Sequence, residues 1–327
     1  MNYKMMYVKA PGVIKLLGEH AVVYGKTAVA AAIDLYTKAE VIERSDHIII
    51  ELSDINRSIS FEKHDIEEMK DRISNIKELI KESDKERTAL LAILSNFNNV
   101  NYHIKISSSI PMQKGLASSA ALSVAFATLL AKLNNIDDEK SIIEIARIGE
   151  KIFHENENAG LIDTNTSFYG GIVIFNKKTG IDRINKELDI SIIDTGPKKS
   201  TAETVAHVAN LYKEKTFYVE SILDDIERQT QLGIKAIRED NYEELINAMC
   251  KDHQLLRELG VSTYNLDKVV EIAMQEGAGA KLSGGGGGGI AIALNLNERA
   301  IEKIKAMNFD IINAKITNQA AQYFLQS

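Results

Sequence analysis

The sequence predicts a two-domain protein that mixes helices with strands. Three observations carry that expectation. At 327 residues the chain is longer than one hydrophobic core usually organises. Runs with a two-residue period, such as Tyr102-His-Ile-Lys-Ile-Ser and Ile290-Ala-Ile-Ala-Leu, read as strands. Runs with apolar residues three and four apart, such as Ile142, Ile143, Ile145, Ala146, Ile148, Ile152 and Phe153, read as helices.

Composition narrows the class. Hydrophobic residues make up 45% and charged residues 26%, the balance of a globular protein with a core and a solvated surface. A formal net charge of −7 argues against general nucleic-acid binding but leaves a local anion site open. The single cysteine, Cys250, excludes an internal disulfide and a cysteine-based metal cluster, and it suits a reducing compartment. No apolar run reaches membrane-spanning length and the first residues lack a signal-peptide pattern, so a cytoplasmic location with no membrane partner is expected. A homodimer is one arrangement that the helical, apolar surface allows, although no segment marks an interface.

The first patterned stretch is a strand bent at Pro11-Gly12, resuming at Val13 and ending near Gly18. On a two-residue period Val13, Lys15 and Leu17 share one face, which makes Lys15 either an edge lysine reaching solvent or a cation aimed into a site. Glu19 and His20 follow at the strand end, a usual place for side chains that touch substrate. Gly25-Lys26-Thr27 looks like the close of a Walker A loop but lacks the upstream glycine. Ala28 to Leu35 is a small-residue apolar run, and Lys38 to Leu52 alternates like paired strands. Glu62 to Glu86 reads as a solvated, charge-rich helix or insertion, and Thr88 to Asn96 as another short helix.

The segment Ile110-Pro-Met-Gln-Lys-Gly-Leu-Ala-Ser-Ser-Ala-Ala-Leu-Ser123 is the most informative. A strand leads into it and a small-residue helix leads out. The free N–H groups of the first helical turn and the helix dipole both face the loop, which makes it an anion site. Further on, Glu150 and His154 lie four apart on one helix face, either as a divalent-metal ligand beside a site histidine or as an ordinary surface pair. Asn156 to Gly160 is a loop, and Asp163 stands between apolar residues and hydroxyls. Thr195 to Val205 reads as a basic, hydroxyl-rich turn into a helix, with Ser200 or Thr201 as N-cap behind Lys198 and Lys199. Helical patterns fill 218–237, 242–259 and 266–276. The glycines from Gly284 to Gly289 pass straight into an alternating strand, so they read as a tight turn within a sheet, not as a linker.

Three of these segments belong together. Ala10-Pro-Gly with Gly18-Glu-His-Ala-Val-Val-Tyr-Gly, then Pro111-Met-Gln-Lys-Gly-Leu-Ala-Ser-Ser-Ala-Ala, then Lys281-Leu-Ser followed by six glycines resemble, in order and spacing, the three motifs of the GHMP kinases. Within that superfamily the Gly-Glu-His-Ala-Val-Val-Tyr-Gly segment is similar to the mevalonate kinases. The resemblance implies an α+β, two-domain fold: residues 1–187 as a ribosomal protein S5 domain 2-like, ATP-binding domain, and 188–327 as a ferredoxin-like domain. It implies ATP and Mg²⁺ as cofactors and a small-molecule acceptor, mevalonate, phosphorylated at its 5-hydroxyl in the cleft. Pro111, Lys114, Gly115, Leu116, Ala117, Ser118, Ser119 and Ala120 would line the triphosphate. Ser119 and Glu150 would hold Mg²⁺, Asp163 would be the catalytic carboxylate, and Glu19, His20, Thr201, Gly285 and Gly286 would face the acceptor. A kinase acting on a sugar, on phosphomevalonate or on the mevalonate 3-hydroxyl, and a catalytically silent ligand sensor, are the alternatives.

The chain departs from that pattern in three places. Val13 stands where the mevalonate kinases carry a lysine, and Lys15, one pleat on along the same face, is expected to take over part of its role as a catalytic cation. The stretch His154-Glu-Asn-Glu-Asn-Ala-Gly-Leu-Ile-Asp163 is longer than the family's, lacks its proline and adds two acids. If the acceptor is an anion, Glu155 and Glu157 should point to solvent. Ala117 replaces a glycine, so the loop tolerates a Cβ there.

Overall fold

A computed structural model describes residues 5–197 and 201–326, and the expectations for Lys198, Lys199 and Ser200 lie outside the described residues. Strand β1 (Met5–Leu17) is joined to β2 (Ala28–Arg44) through a 3-10 turn at Ala21–Tyr24. A hairpin of β3 (Ile48–Leu52) and β4 (Arg57–Phe61) precedes helices α1 (Lys63–Arg72), α2 (Ile76–Leu79) and α3 (Lys85–Leu94). Then come β5 (Tyr102–Ser108), α4 (Ser118–Leu133), α5 (Glu139–Phe153), α6 (Leu161–Tyr169), β6 (Ile172–Asn176), β7 (Gly180–Ile184) and β8 (Leu188–Asp194). Four helices follow, α7 (Thr201–Glu214), α8 (Thr216–Arg238), α9 (Tyr242–Glu258) and α10 (Tyr264–Gln275). The chain closes with β9 (Gly279–Leu282), β10 (Ile290–Leu294), α11 (Glu298–Lys305), β11 (Asp310–Ile316) and β12 (Gln322–Gln326).

The strands form one sheet along the path β4-β3-β5-β2-β11-β8-β10-β9. Off this path, β1 and β6 both pair with β2, while β12 pairs with β1 and β7 with β6. The amino- and carboxy-terminal halves meet where Ile33 of β2 pairs with Ile316 of β11. Strand β12 then returns to the first half, antiparallel to Met5–Lys9.

Local sequence explains how the layers close on the site. Helix α4 is rich in alanine, and Ala120, Ala121, Ala125, Ala127 and Ala131 are fully buried. Small side chains let its backbone come close to β1 and β2, while Phe126, Leu129 and Leu130 fill the space beyond. Each such large apolar side chain contributes about 1.5–3 kcal/mol when fully buried. Gly149 of α5 continues the close packing, because a Cβ there would lie 2.4 Å from Ser123 Oγ of α4. Among the described residues no helix is long and apolar enough to cross a membrane.

Some elements differ from the sequence reading for physical reasons. Residues 28–33 are buried on both faces, so the first half of β2 shows no alternation and looked separate from its second half. The charged stretch 62–86 is broken into α1 and α2. Helix α6 escaped notice because its inward residues Thr164, Asn165, Thr166 and Ser167 are polar yet buried.

Candidate active site

The loop before α4 has the strand–loop–helix form that its sequence suggests. Helix α4 starts from Ala117, which sits in the left-handed region (φ 53°) and offers no capping side chain. By contrast α5, α9, α10 and α11 start from Asp138, Asn241, Thr263 and Asn297, each accepting a backbone N–H. The first-turn amides of α4, at Ser118, Ser119 and Ala120, are left for another acceptor. Positive φ at Gln113 and Gly115 curves the loop back on itself. Leu116 is buried and its carbonyl accepts the Val13 N–H at 3.0 Å, so the loop rests on the bend of β1. Pro111 is half-buried at the loop entry. Lys114 is ion-paired with Asp194 at the end of β8, a partner it would have to exchange to reach a phosphate.

Asp163 stands in the first turn of α6, behind Gly160. The positive end of that helix favours a carboxylate there. Ser167 of the same helix donates to the Pro11 carbonyl at 2.7 Å, which fixes α6 to the bend of β1. Lys15 reaches across from β1 and its ammonium pairs with Asp163 Oδ1. Burial holds Lys15 down to about 8, against the opposing pull of Glu19 and Glu150, which places both carboxylates within its electrostatic reach. Val13 packs into the core.

Glu150 is wholly buried, and among the described residues neither of its oxygens accepts a hydrogen bond. His154 Nε2 approaches its Oε2 at 3.4 Å. Gly160 allows α6 to approach so closely, since a Cβ there would lie 2.6 Å from Glu150 Cβ. A buried carboxylate left without donors is a costly arrangement that a cation would relieve. Ser119 stands one helical turn before Ser123, the residue that Gly149 packs against, so Ser119 and Glu150 lie on adjoining turns of two helices in contact. Glu155 and Glu157 turn outward, as expected, toward Lys85 at 3.1 Å and Lys77 at 3.9 Å.

The acceptor-side residues gather around the turn after β1. His20 adopts φ 60° and its Nε2–H donates to the Gly285 carbonyl at 3.0 Å, while burial lowers its pKa. Thr201, at the start of α7, packs on Gly285, where a Cβ would come within 3.0 Å of its Oγ1. At Gly286 a Cβ would lie 2.2 Å from the Val261 carbonyl, so the glycine run bridges β9 and β10 in tight contact with backbone. Gly18 is equally constrained, with φ +85° and 2.1 Å between a built Cβ and the Thr27 carbonyl. Gly18→Ala is expected to lower stability by at least about 2 kcal/mol, read as a fall in the urea midpoint. A midpoint equal to wild type would show that the turn relaxes freely.

Sequence reasoning overlooked several members of this site. Ser283 exchanges two hydrogen bonds with the backbone of Lys15, its Oγ accepting from N at 2.9 Å and donating to O at 3.0 Å. Lys281 and Asp252 lie buried behind Glu19. Lys281 and Ser283 belong to the third recognised motif, which was a signal; Asp252, in mid-helix, gave none.

Residues 79–171 match the family described as GHMP kinases N terminal domain, and residues 234–310 match GHMP kinases C terminal. The chain belongs to the GHMP kinases and is an ATP-dependent small-molecule kinase. Relatives that cover most of its length include mevalonate kinases. That of Methanocaldococcus jannaschii is 31% identical over 332 residues, covering 96% of this chain and 100% of the relative. That of Pyrococcus furiosus is 35% identical over 290 residues, covering 84% of each. The crystal structure of the Methanococcus jannaschii enzyme aligns with a TM-score of 0.78 at 28% identity, covering 97% of this chain and 100% of that one.

Proposed function

We propose that the chain transfers the γ-phosphoryl group of ATP to the 5-hydroxyl of mevalonate, giving 5-phosphomevalonate and ADP. Near-complete alignment with mevalonate kinases supports the substrate. The observation that carries the chemistry is the Lys15–Asp163 pair, borne by β1 and α6, two elements that pack against the uncapped helix α4. In this reading the acceptor oxygen bonds to the γ-phosphorus as its bond to the β-bridging oxygen breaks, and the hydroxyl proton passes to Asp163. Lys15 keeps Asp163 oriented and offsets charge on the moving phosphoryl group. The free amides of Ser118, Ser119 and Ala120 hold the triphosphate. Glu19, His20 and Thr201 position the acceptor.

Mg²⁺ fits the residues present, because Glu150 offers two buried oxygens without donors and Ser119 a hydroxyl. When bound, the ion would neutralise phosphate charge, and a site with so few protein ligands suits an ion that keeps several waters. Glu150→Gln is expected to raise the Mg²⁺ concentration needed for half-maximal rate by about tenfold or more. An unchanged requirement would remove Glu150 as a ligand. The outward turn of Glu155 and Glu157 spares an anionic acceptor their repulsion. A cytoplasmic setting goes with this reading, and the buried free thiol of Cys250 suits it.

ADP release with mevalonate, galactose, homoserine and phosphomevalonate tests the assignment. Mevalonate should be strongly preferred; preference for another acceptor would overturn the substrate while leaving the kinase in place.

A further inference from the structure

Glu19 is held by a group that the roles above leave out. Lys281, on β9, is wholly buried, and its ammonium pairs with Glu19 Oε1, lies 3.2 Å from Asp252 Oδ2 and donates to the Leu282 carbonyl at 2.8 Å. The residues that follow hold the same stretch of chain. Ser283 brackets the backbone of Lys15, the Gly284 N–H approaches Glu19 Oε1 at 3.4 Å, and the Gly285 carbonyl accepts from His20. Behind them the Leu282 N–H donates to His253 Nδ1 at 3.2 Å, so the other ring nitrogen carries the proton that faces Asp267 at 3.2 Å. Residues 281–285 of the carboxy-terminal half are thus fastened to residues 15–20 of the amino-terminal half.

Charge balance shows what this fastening does. One buried ammonium faces two buried carboxylates, an arrangement that is costly with both carboxylates ionised. Burial raises the pKa of Asp252 well above the ordinary carboxylate range despite Lys281 beside it, so Asp252 is the partner that more readily takes a proton. The proton on Asp252 is then shared with the Glu19 carboxylate beside it, so Glu19 is held by Lys281 and Asp252 together.

We propose that Lys281, backed by Asp252, is a positioning residue that locks Glu19 through Oε1 and so fixes the orientation in which Glu19 meets the acceptor. The inference rests on the reading that Glu19 faces the acceptor. Through Ser283 the same segment sets the backbone of Lys15, so acceptor and phosphoryl group are registered by one unit.

A double-mutant cycle between Lys281→Met and Glu19→Gln tests this, with KM measured separately for acceptor and ATP. Each single change should raise the acceptor KM about 30-fold, the scale for losing one partner of a buried charge pair, and leave the ATP KM within about twofold. The double variant should be no worse than either single one. Additive penalties, or an equal rise in both KM values, would overturn the proposal. Should Lys281→Met fail to fold, Asp252→Asn combined with Glu19→Gln reads the same coupling, and additivity there is equally fatal. Wild-type turnover of the acceptor panel comes first. A wild type that prefers another acceptor sinks the substrate reading, and the cycle is then run with that acceptor. A wild type that turns over mevalonate while the cycle is additive sinks the positioning role alone.

Discussion

Asp163→Asn is expected to lower kcat by about three orders of magnitude while ATP binds nearly as before. The amide keeps the shape of the carboxylate but cannot take the acceptor's proton, and it cannot pair with the Lys15 ammonium. Nucleotide binding should be spared because the amides proposed to hold the triphosphate belong to α4 and its loop, whereas Asp163 belongs to α6. Single-turnover transfer of the γ-phosphoryl group and calorimetric titration with ATP separate the two. Substantial turnover in the variant would remove Asp163 as the proton acceptor.

Lys15→Met should lower kcat by about 100-fold or more, again with a much smaller effect on ATP affinity. Its pH dependence makes the prediction sharper. Lys15 titrates at about 8 in the folded protein, so it is charged below that pH and neutral above it. In the wild type kcat/KM, which reports the free enzyme, should therefore fall as pH rises through about 8. Bound triphosphate adds negative charge nearby and favours the ammonium, so the matching limb in kcat should lie higher. Lys15→Met should lose the limb, and Lys15→Arg should move it beyond the accessible range. An alkaline limb persisting unchanged in Lys15→Met would mean that another group produces it.

The local chemistry of this site was legible because it is carried by short stretches. Pro111 to Ala120 needs only its own residues to make an uncapped helix start, and the alternation around Lys15 is enough to put it on the face of Val13. Features that depend on distant parts of the chain were not legible. Lys281 and Glu19 are 262 positions apart, and neither residue's neighbours announce the other. The buried hydroxyls of Thr164, Thr166 and Ser167 look like surface until α6 is packed against β1, where Ser167 finds the Pro11 carbonyl. The loop that assigns Lys114 to the phosphates gives no hint of its ion pair with Asp194, which arrives from the end of β8. Residues 28–33 hid their strand character by being buried on both sides.

The pairing of Met5–Lys9 with Gln322–Gln326 bears on how the enzyme is made. During synthesis β1 leaves the ribosome long before its partner β12, so the strand that carries Lys15 keeps an open edge while the intervening chain is translated. Closing a loop of more than three hundred residues costs on the order of 5 kcal/mol of chain entropy, which that short ladder must offset with help from the packed core. Until it does, the exposed edge is a place where nascent chains can join one another. Completion of the strand that carries Lys15 therefore waits on a segment made long after it.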